Sequence, residues 1–300
     1  MSKPVPRSLQ EYLDQLREEL AGADPALIQD ALYDAEEYLR AELDSHRGKT
    51  EEEVLATVAT TYGAPEEVAE AYRNTEAKVQ MALRTPRPKK RKSAIGRFFG
   101  VYADPRAYTA LLFMLLAYIT GIFFFVWTIA GLAMSMGFMI LIIGLPFFLL
   151  YLGSIRLFSL VEGRMVEVLL GERMPRRPVH PSDKSRPLMA RLKEVFTDPR
   201  TWSTILYMVL KLPIGIIDFV LVVALGASSL ALILAPFSSL IHGGPFWIDV
   251  DGVDIFNLPW IFTPIFSVIG IILLACLMHI AKGMGWVQGH LAKALLVKAG

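Results

Sequence analysis

Residues 198–220 read DPRTWSTILYMVLKLPIGIIDFV, and residues 104–126 read DPRAYTALLFMLLAYITGIFFFV. Laid over one another without a gap, at an offset of 94, they share Asp104/Asp198, Pro105/Pro199, Arg106/Arg200, Met114/Met208, Leu116/Leu210, Gly121/Gly215, Ile122/Ile216, Phe125/Phe219 and Val126/Val220. Chance is a poor explanation for so many identities. A second likeness follows each stretch: EGRMVEVLLG from Glu162 to Gly171 resembles QGHLAKALLV from Gln288 to Val297, at an offset of 126. The chain therefore reads as two copies of one unit, 104–177 and 198–297, and the extra residues of the second copy fall around SSLIHGGPFWIDVDGVDIFNLP.

Both copies are apolar. Over the chain, 54% of residues are hydrophobic, 20% are charged and the mean hydropathy is +0.44, with the apolar residues bunched into long runs, as in an integral membrane protein. The fold class expected is all-α, with a small helical domain ahead of a four-span helical membrane domain that carries interfacial helices. A span takes about 20 apolar residues, so four are expected, near 111–131, 134–155, 214–235 and 260–280. The run from 201 to 236 is too long for one span and too short for two. Residues 201–212 are expected to form an interfacial helix, broken at Pro213, before the span itself. Residues 155–200 hold ten Lys/Arg whereas 237–258 hold none, which predicts both termini in the cytoplasm.

Two charges fall within the second copy's apolar stretch. Lys211 and Asp218 are seven residues apart, close to two helical turns, so both point to one side. Lys211 is expected near the interface, where its stem can snorkel, and Asp218 deeper in the span. Ala117 and Phe124 stand at the matching positions of the first copy, so the fold does not require the charges. A structural polar contact is the simpler reading; a proton- or ligand-responsive pair is the functional one.

The duplication resembles the sensor domain of bacterial membrane sensors, a domain often found ahead of histidine kinases. The residues that carry it are the two Asp-Pro-Arg starts (Asp104 and Arg106, Asp198 and Arg200), Gly144-Leu145-Pro146, and the LVEGRMVEVLLG close with Glu162 and Arg164. The second copy has His290 where Arg164 stands. The resemblance implies a sensing role for the membrane region.

Residues 1–83 are a module of another kind, with 18 Asp/Glu against 8 Lys/Arg and thus a net charge of −10, leaving +11 for the remainder. Leu9, Tyr12, Leu13, Leu16 and Leu20 form one helical stripe. Asp24-Pro25 opens a second helix through Ser45, faced by Leu27, Ala31, Leu32, Ala35 and Leu39. Thr50 with Glu51, Glu52 and Glu53 makes a capping box for a third, which Gly63 stops, and APEEVAEAYRNTEAKVQMAL begins a fourth. EYLDQLREEL, DALYDAEEYLRAEL and GKTEEEVLATVATTYGAPEEVAEAY resemble the HAAS-type helical signalling domain of bacteria, which implies a cytoplasmic role in signalling. The acidic charge has the wrong sign for phosphates and argues against direct nucleic-acid binding.

Residues 84–103 are a basic linker. Arg87, Lys89, Lys90, Arg91, Lys92 and Arg97 stand just before the first apolar stretch, where anionic lipid headgroups are the natural partner. After each copy an amphipathic tail follows, SLVEGRMVEVLLGERMPRR and GMGWVQGHLAKALLVK, and the two could pair with one another or dock the acidic module. Asp249, Asp251 and Asp254 could hold a hard cation, but they lack the full calcium-loop pattern and read more simply as a solvated loop. The five His show no paired-ligand spacing, no Walker or GxSxG motif occurs, and Cys276 stands alone, so neither enzyme, cofactor nor metal centre is expected. The first residues lack the apolar core of a signal peptide.

These features predict a non-enzymatic inner-membrane regulator that detects a membrane or periplasmic cue and recruits a cytoplasmic regulator or kinase, through a relay in residues 84–100. An accessory or scaffolding subunit of a membrane transport or envelope complex is the alternative, with a homo-oligomer also open. A transporter using Lys211 and Asp218 is a third.

Overall fold

The structure, a computed structural model, describes residues 6–46, 48–83, 93–138, 144–177, 197–242, 246–250, 253–258 and 263–297. Helices α1 (Leu9–Glu19), α2 (Pro25–Ser45), α3 (Glu51–Thr61) and α4 (Pro65–Leu83) come first. Ser8, Asp24 and Thr50 cap the first three; Thr50 and Glu53 close the expected capping box, and Pro25 sits at the first position of α2. Gly63, at φ 113°, ends the third helix in a conformation that residues with a Cβ avoid. The stripes converge on one core in which Tyr12, Leu16, Leu20, Leu39 and Leu55 are fully buried.

A short helix, α5 (Ala94–Phe99), and a 3₁₀ turn lead into α6 (Pro105–Phe138); α7 (Gly144–Leu170), α8 (Pro199–His242) and α9 (Thr263–Leu296) follow. All four are long and apolar enough to cross a membrane. The described chain is all-helical but for one hairpin, β1 (Phe246–Val250) antiparallel to β2 (Val253–Leu258).

Four expectations need correction. No break occurs at Pro213: α8 is one helix of 44 residues with Pro213 and Pro236 inside it. A proline removes one backbone donor, a loss that membrane helices tolerate because neighbouring groups satisfy the freed carbonyl. The expected turn near 131–134 is helical too, since α6 runs on to Phe138, and the amphipathic tails are continuations of α7 and α9 rather than separate helices. Lastly, the supposed outer loop contains strands. FWIDV and VDIFNL are rich in strand-forming residues and flank Asp-Gly, a dipeptide favoured in tight hairpin turns.

By contacts the chain divides into two compact units. Unit 1 gathers residues 1–84, 126–208 and 289–300; unit 2 gathers 85–125 and 209–288.

Candidate functional site

In unit 1, α7 ends at Gly171, whose φ of 74° turns the chain out of the helix. The residues that follow, 172–177, form a strap against the N-terminal helices. Arg173 is 7% exposed and is shared by three carboxylates, each itself buried. Its Nη2 donates to Asp30 Oδ2 on α2 at 3.0 Å, its Nε to Glu76 Oε2 on α4 at 3.0 Å and its Nη1 to Glu167 Oε1 on α7 at 3.3 Å. Asp30 Oδ1 also accepts the backbone N–H of Arg176 at 2.7 Å and of Arg177 at 2.8 Å, and Gln29 Nε2 donates to the Arg177 carbonyl at 2.8 Å. Arg176 reaches Glu167 at 3.2 Å, and Arg177 reaches Asp34 at 2.8 Å.

Burial works to lower the basicity of Arg173, but Glu76, Asp30 and Glu167 outweigh it and hold the guanidinium above its ordinary value. For Asp30 burial prevails and raises the carboxyl, although the two backbone donors and Arg173 act against it. The state that stands is a charged Arg173, because three carboxylates share it. Such a cluster is fastened by its mutual compensation: removal of one partner from a buried ion pair costs about 3–5 kcal/mol.

The end of α9 meets the same module. Lys293 Nζ lies 2.6 Å from Asp24 Oδ2, the residue that caps α2. Lys293 and Glu167 occupy matching places in the two closes, 126 residues apart. The strap touches both closes: a Cβ on Gly163 would meet Met174 Cβ at 3.4 Å, and one on Gly289 would meet Glu172 Cγ at 2.7 Å. At the start of α8, Arg200 and Ser203 donate to the carbonyls of Leu296 and Leu295, satisfying the end of α9. Glu162, fully buried, accepts from Tyr207 Oη at 2.9 Å.

Unit 2 is held by close backbone approach. A Cβ on Gly121 of α6 would lie 2.7 Å from the Lys211 carbonyl oxygen, and one on Gly215 of α8 would lie 2.5 Å from the Ala117 carbonyl oxygen. Each glycine thus faces the residue aligned with the other's neighbour, because 117 and 211, like 121 and 215, differ by 94. Small residues let membrane helices approach in this way. Beside the crossing, Tyr118 and Phe219 stack with ring centroids 4.5 Å apart.

Lys211 is 2% exposed, with Nζ 4.2 Å from the centroid of the Phe113 ring, so its side chain does not snorkel to the surface as expected; the aromatic face receives the charge. Asp218, fully buried, accepts from Gln288 Nε2 at 2.7 Å, and the charge of Lys211 acts on it.

Asp104 and Asp198 play one local role. Each caps its helix by accepting the backbone N–H two residues on, of Arg106 and of Arg200, at 3.1 Å, with Pro at the first helical position. Asp104 also binds Lys282 at 2.5 Å. Burial works to raise this carboxyl, but the Lys282 ammonium and the Arg106 N–H hold it below its ordinary value. Arg164 pairs with Glu167 at 2.7 Å.

Arg97 is exposed on α5, whereas Arg87, Lys89, Lys90, Arg91 and Lys92 lie outside the described residues. Asp249 and Asp254 stand opposite one another in the hairpin, and Asp251 lies outside the described residues. Sequence reasoning missed Arg173, Asp30, Glu76 and the role of Glu167. The available signal was Asp30, a carboxylate three residues after Leu27 and one before Ala31, on the apolar face of α2.

No curated protein and no solved structure matches this chain. Residues 113–296 match the model of the family described as Putative sensor. That match takes in more than half of the chain, from the α6–α8 crossing to the end of α9, and the chain belongs to this family.

Proposed function

We propose that this multi-pass membrane protein is a sensor of a bacterial inner membrane, with both termini cytoplasmic, that detects a membrane or periplasmic cue and acts without catalysis of its own. Its output is the acidic N-terminal module, which recruits a cytoplasmic partner such as a transcription regulator or a kinase. The membrane family supports sensing, and the likeness of residues 1–83 to a HAAS-type signalling domain supports the output.

The observation that carries this reading is Arg173. One guanidinium joins Asp30 and Glu76 of the N-terminal helices to Glu167 at the close of α7, while Lys293 at the close of α9 holds Asp24. A shift of either close against the other strains these ion pairs, and the module changes its seating as a consequence. This route runs through the strap, beside the relay proposed for residues 84–100.

The test is crosslinking in native membranes followed by mass spectrometry of bound proteins, comparing wild type with Arg173→Met. A soluble regulator whose recovery changes with the variant is the expected result. A transporter or envelope complex recovered equally from both would contradict it and favour an accessory or scaffolding subunit.

A further inference from the structure

Unit 1 contains a small cleft of about 30 Å³, open at its mouth, between α7, the first turns of α8, Gln29 of α2 and the strap. Arg156, Arg177 and Arg200 all line it. Arg177 is paired with Asp34, but among the described residues neither Arg156 nor Arg200 has a carboxylate within ion-pair distance. One acid, Asp198, also lines the cleft, and its Oδ1 is occupied by the Arg200 N–H.

Three buried polar atoms of lining residues have no hydrogen-bond partner: Arg200 Nη1, Thr201 Oγ1 and Gln29 Oε1. Thr201 and Gln29 are 8% and 7% exposed. Buried polar atoms are nearly always satisfied, so two orphan donors and one orphan acceptor at a single cleft call for an occupant. The donors sit with excess positive charge and suit an oxyanion; the acceptor suits a hydroxyl. Guanidinium groups match phosphate oxygens in charge and geometry. The opposite wall is apolar, made by Leu152, Ile155 and Leu160 of a helix apolar enough to span a membrane.

We infer that this cleft binds a phosphate group carried by a hydroxyl-bearing molecule. Arg200 and Arg156 hold the phosphate oxygens, Thr201 donates a further bond, and Gln29 accepts from the hydroxyl. Such a group reaches the site as the headgroup of an anionic phospholipid or as a free phosphate. The occupant bridges α8 to Gln29, one residue from Asp30, and so bears on the junction at Arg173. The claim that it is the cue rests on the sensor reading, whereas the binding itself does not.

The experiment uses the full chain in nanodiscs of phosphatidylcholine, titrated with phosphatidylglycerol in one arm and with inorganic phosphate in the other, reading bound lipid by native mass spectrometry and phosphate by thermal shift. Wild type is expected to bind in at least one arm, which identifies the source. Arg200→Gln combined with Arg156→Gln is expected to weaken that binding at least about tenfold, since each substitution removes a charge-assisted bond. Arg97→Gln, at an exposed position of α5 in the basic stretch expected to meet anionic headgroups, measures that general attraction, and a smaller loss than in the cleft variants is expected. Should the double variant not fold, Thr201→Val removes only the orphan hydroxyl and is expected to weaken binding severalfold. Equal binding by wild type and the cleft variants, equal loss with Arg97→Gln, or no binding in either arm would overturn the site and leave the sensor reading intact. Loss of binding in the cleft variants with Arg173-dependent partner recovery unchanged would uphold the site and contradict its role as the cue.

Discussion

The two aligned membrane segments keep the same backbone devices and differ in their charges. Asp104 and Asp198 cap their helices alike, and Gly121 and Gly215 each lie against the other helix's backbone. Yet Ala117 faces Lys211, Phe124 faces Asp218, Glu162 faces Gln288 and Glu167 faces Lys293 in the alignment. The shared positions are those where geometry admits few residue types: a cap needs a short acceptor, and a crossing this close needs the absence of a Cβ. At the differing positions the polar side chains Lys211, Asp218, Glu162, Gln288, Glu167 and Lys293 each have a partner of their own. Glu167 with Arg173 and Lys293 with Asp24 use opposite charges to fasten one module at two places.

This contrast between common geometry and individual charge can be broken at several points. The largest expected effect is at the charges. Arg173→Met leaves Asp30, Glu76 and Glu167 buried together without their common cation, an expected loss of about 3–5 kcal/mol at the junction. Hydrogen exchange of α2 and α4 reads it, and unchanged protection would mean that the cluster does not hold the module. Adding Asp30→Asn, Glu76→Gln and Glu167→Gln to that variant is expected to recover part of the loss.

Next comes the shared geometry. Gly215→Val forces a branched side chain against the Ala117 backbone, where even a Cβ would lie 2.5 Å from the carbonyl oxygen. Overpacking of this kind costs about 1–3 kcal/mol or more, and the thermal midpoint in detergent is expected to fall accordingly. Gly121→Val should act in the same direction, because its neighbour is also backbone. A large loss at one glycine with none at the other would break the equivalence of the two segments.

Asp104 separates capping from charge. Asp104→Asn keeps an acceptor for the cap and removes the pairing with Lys282, whose side chain is 39% exposed, so the cost is about 1 kcal/mol or less. The sign follows from the lowered carboxyl: the contribution is complete above its ordinary value of 3.8 and is lost as pH falls through the still lower folded value. The stability gap between wild type and variant should stay constant from neutral pH down to about 4 and close below it. A gap that closed nearer neutrality would contradict this assignment. The smallest effect is expected at Gly153, where an added Cβ would meet nothing within 4 Å. Gly153→Ala should lie between no change and a gain of up to about 1 kcal/mol, in contrast to Gly121 and Gly215.

Much of this architecture was legible because it follows local rules. Asp24-Pro25, Thr50 with Glu53, and Gly63 mark their helix ends in the order the chain adopts. Four apolar helices were evident from run length. Continuity across Pro213 was not, because whether a proline breaks a helix depends on the packing around it, and here Lys211 and Gly215 lie against α6. The hairpin was hidden because an acidic, glycine-containing segment reads as loop, although FWIDV and VDIFNL within it are rich in strand-forming residues. Among the site residues, Gly121 and Gly215 stood out in the alignment itself. Arg173 did not, since a cation in the charged stretch after an amphipathic helix looks like any solvated residue until Asp30 and Glu76, far away in sequence, are brought to it by the folding of the N-terminal helices.

The most direct measurement is a pair of spin labels within unit 1, on exposed Arg17 of α1 and exposed Val168 near the end of α7, with Cys276 replaced by Ala. Distances would be taken in nanodiscs by pulsed electron resonance. A single narrow distribution is expected for the otherwise native chain, with a broad, longer one for Arg173→Met. A broad distribution in the native chain, or an identical narrow one in both, would contradict a module fastened through Arg173.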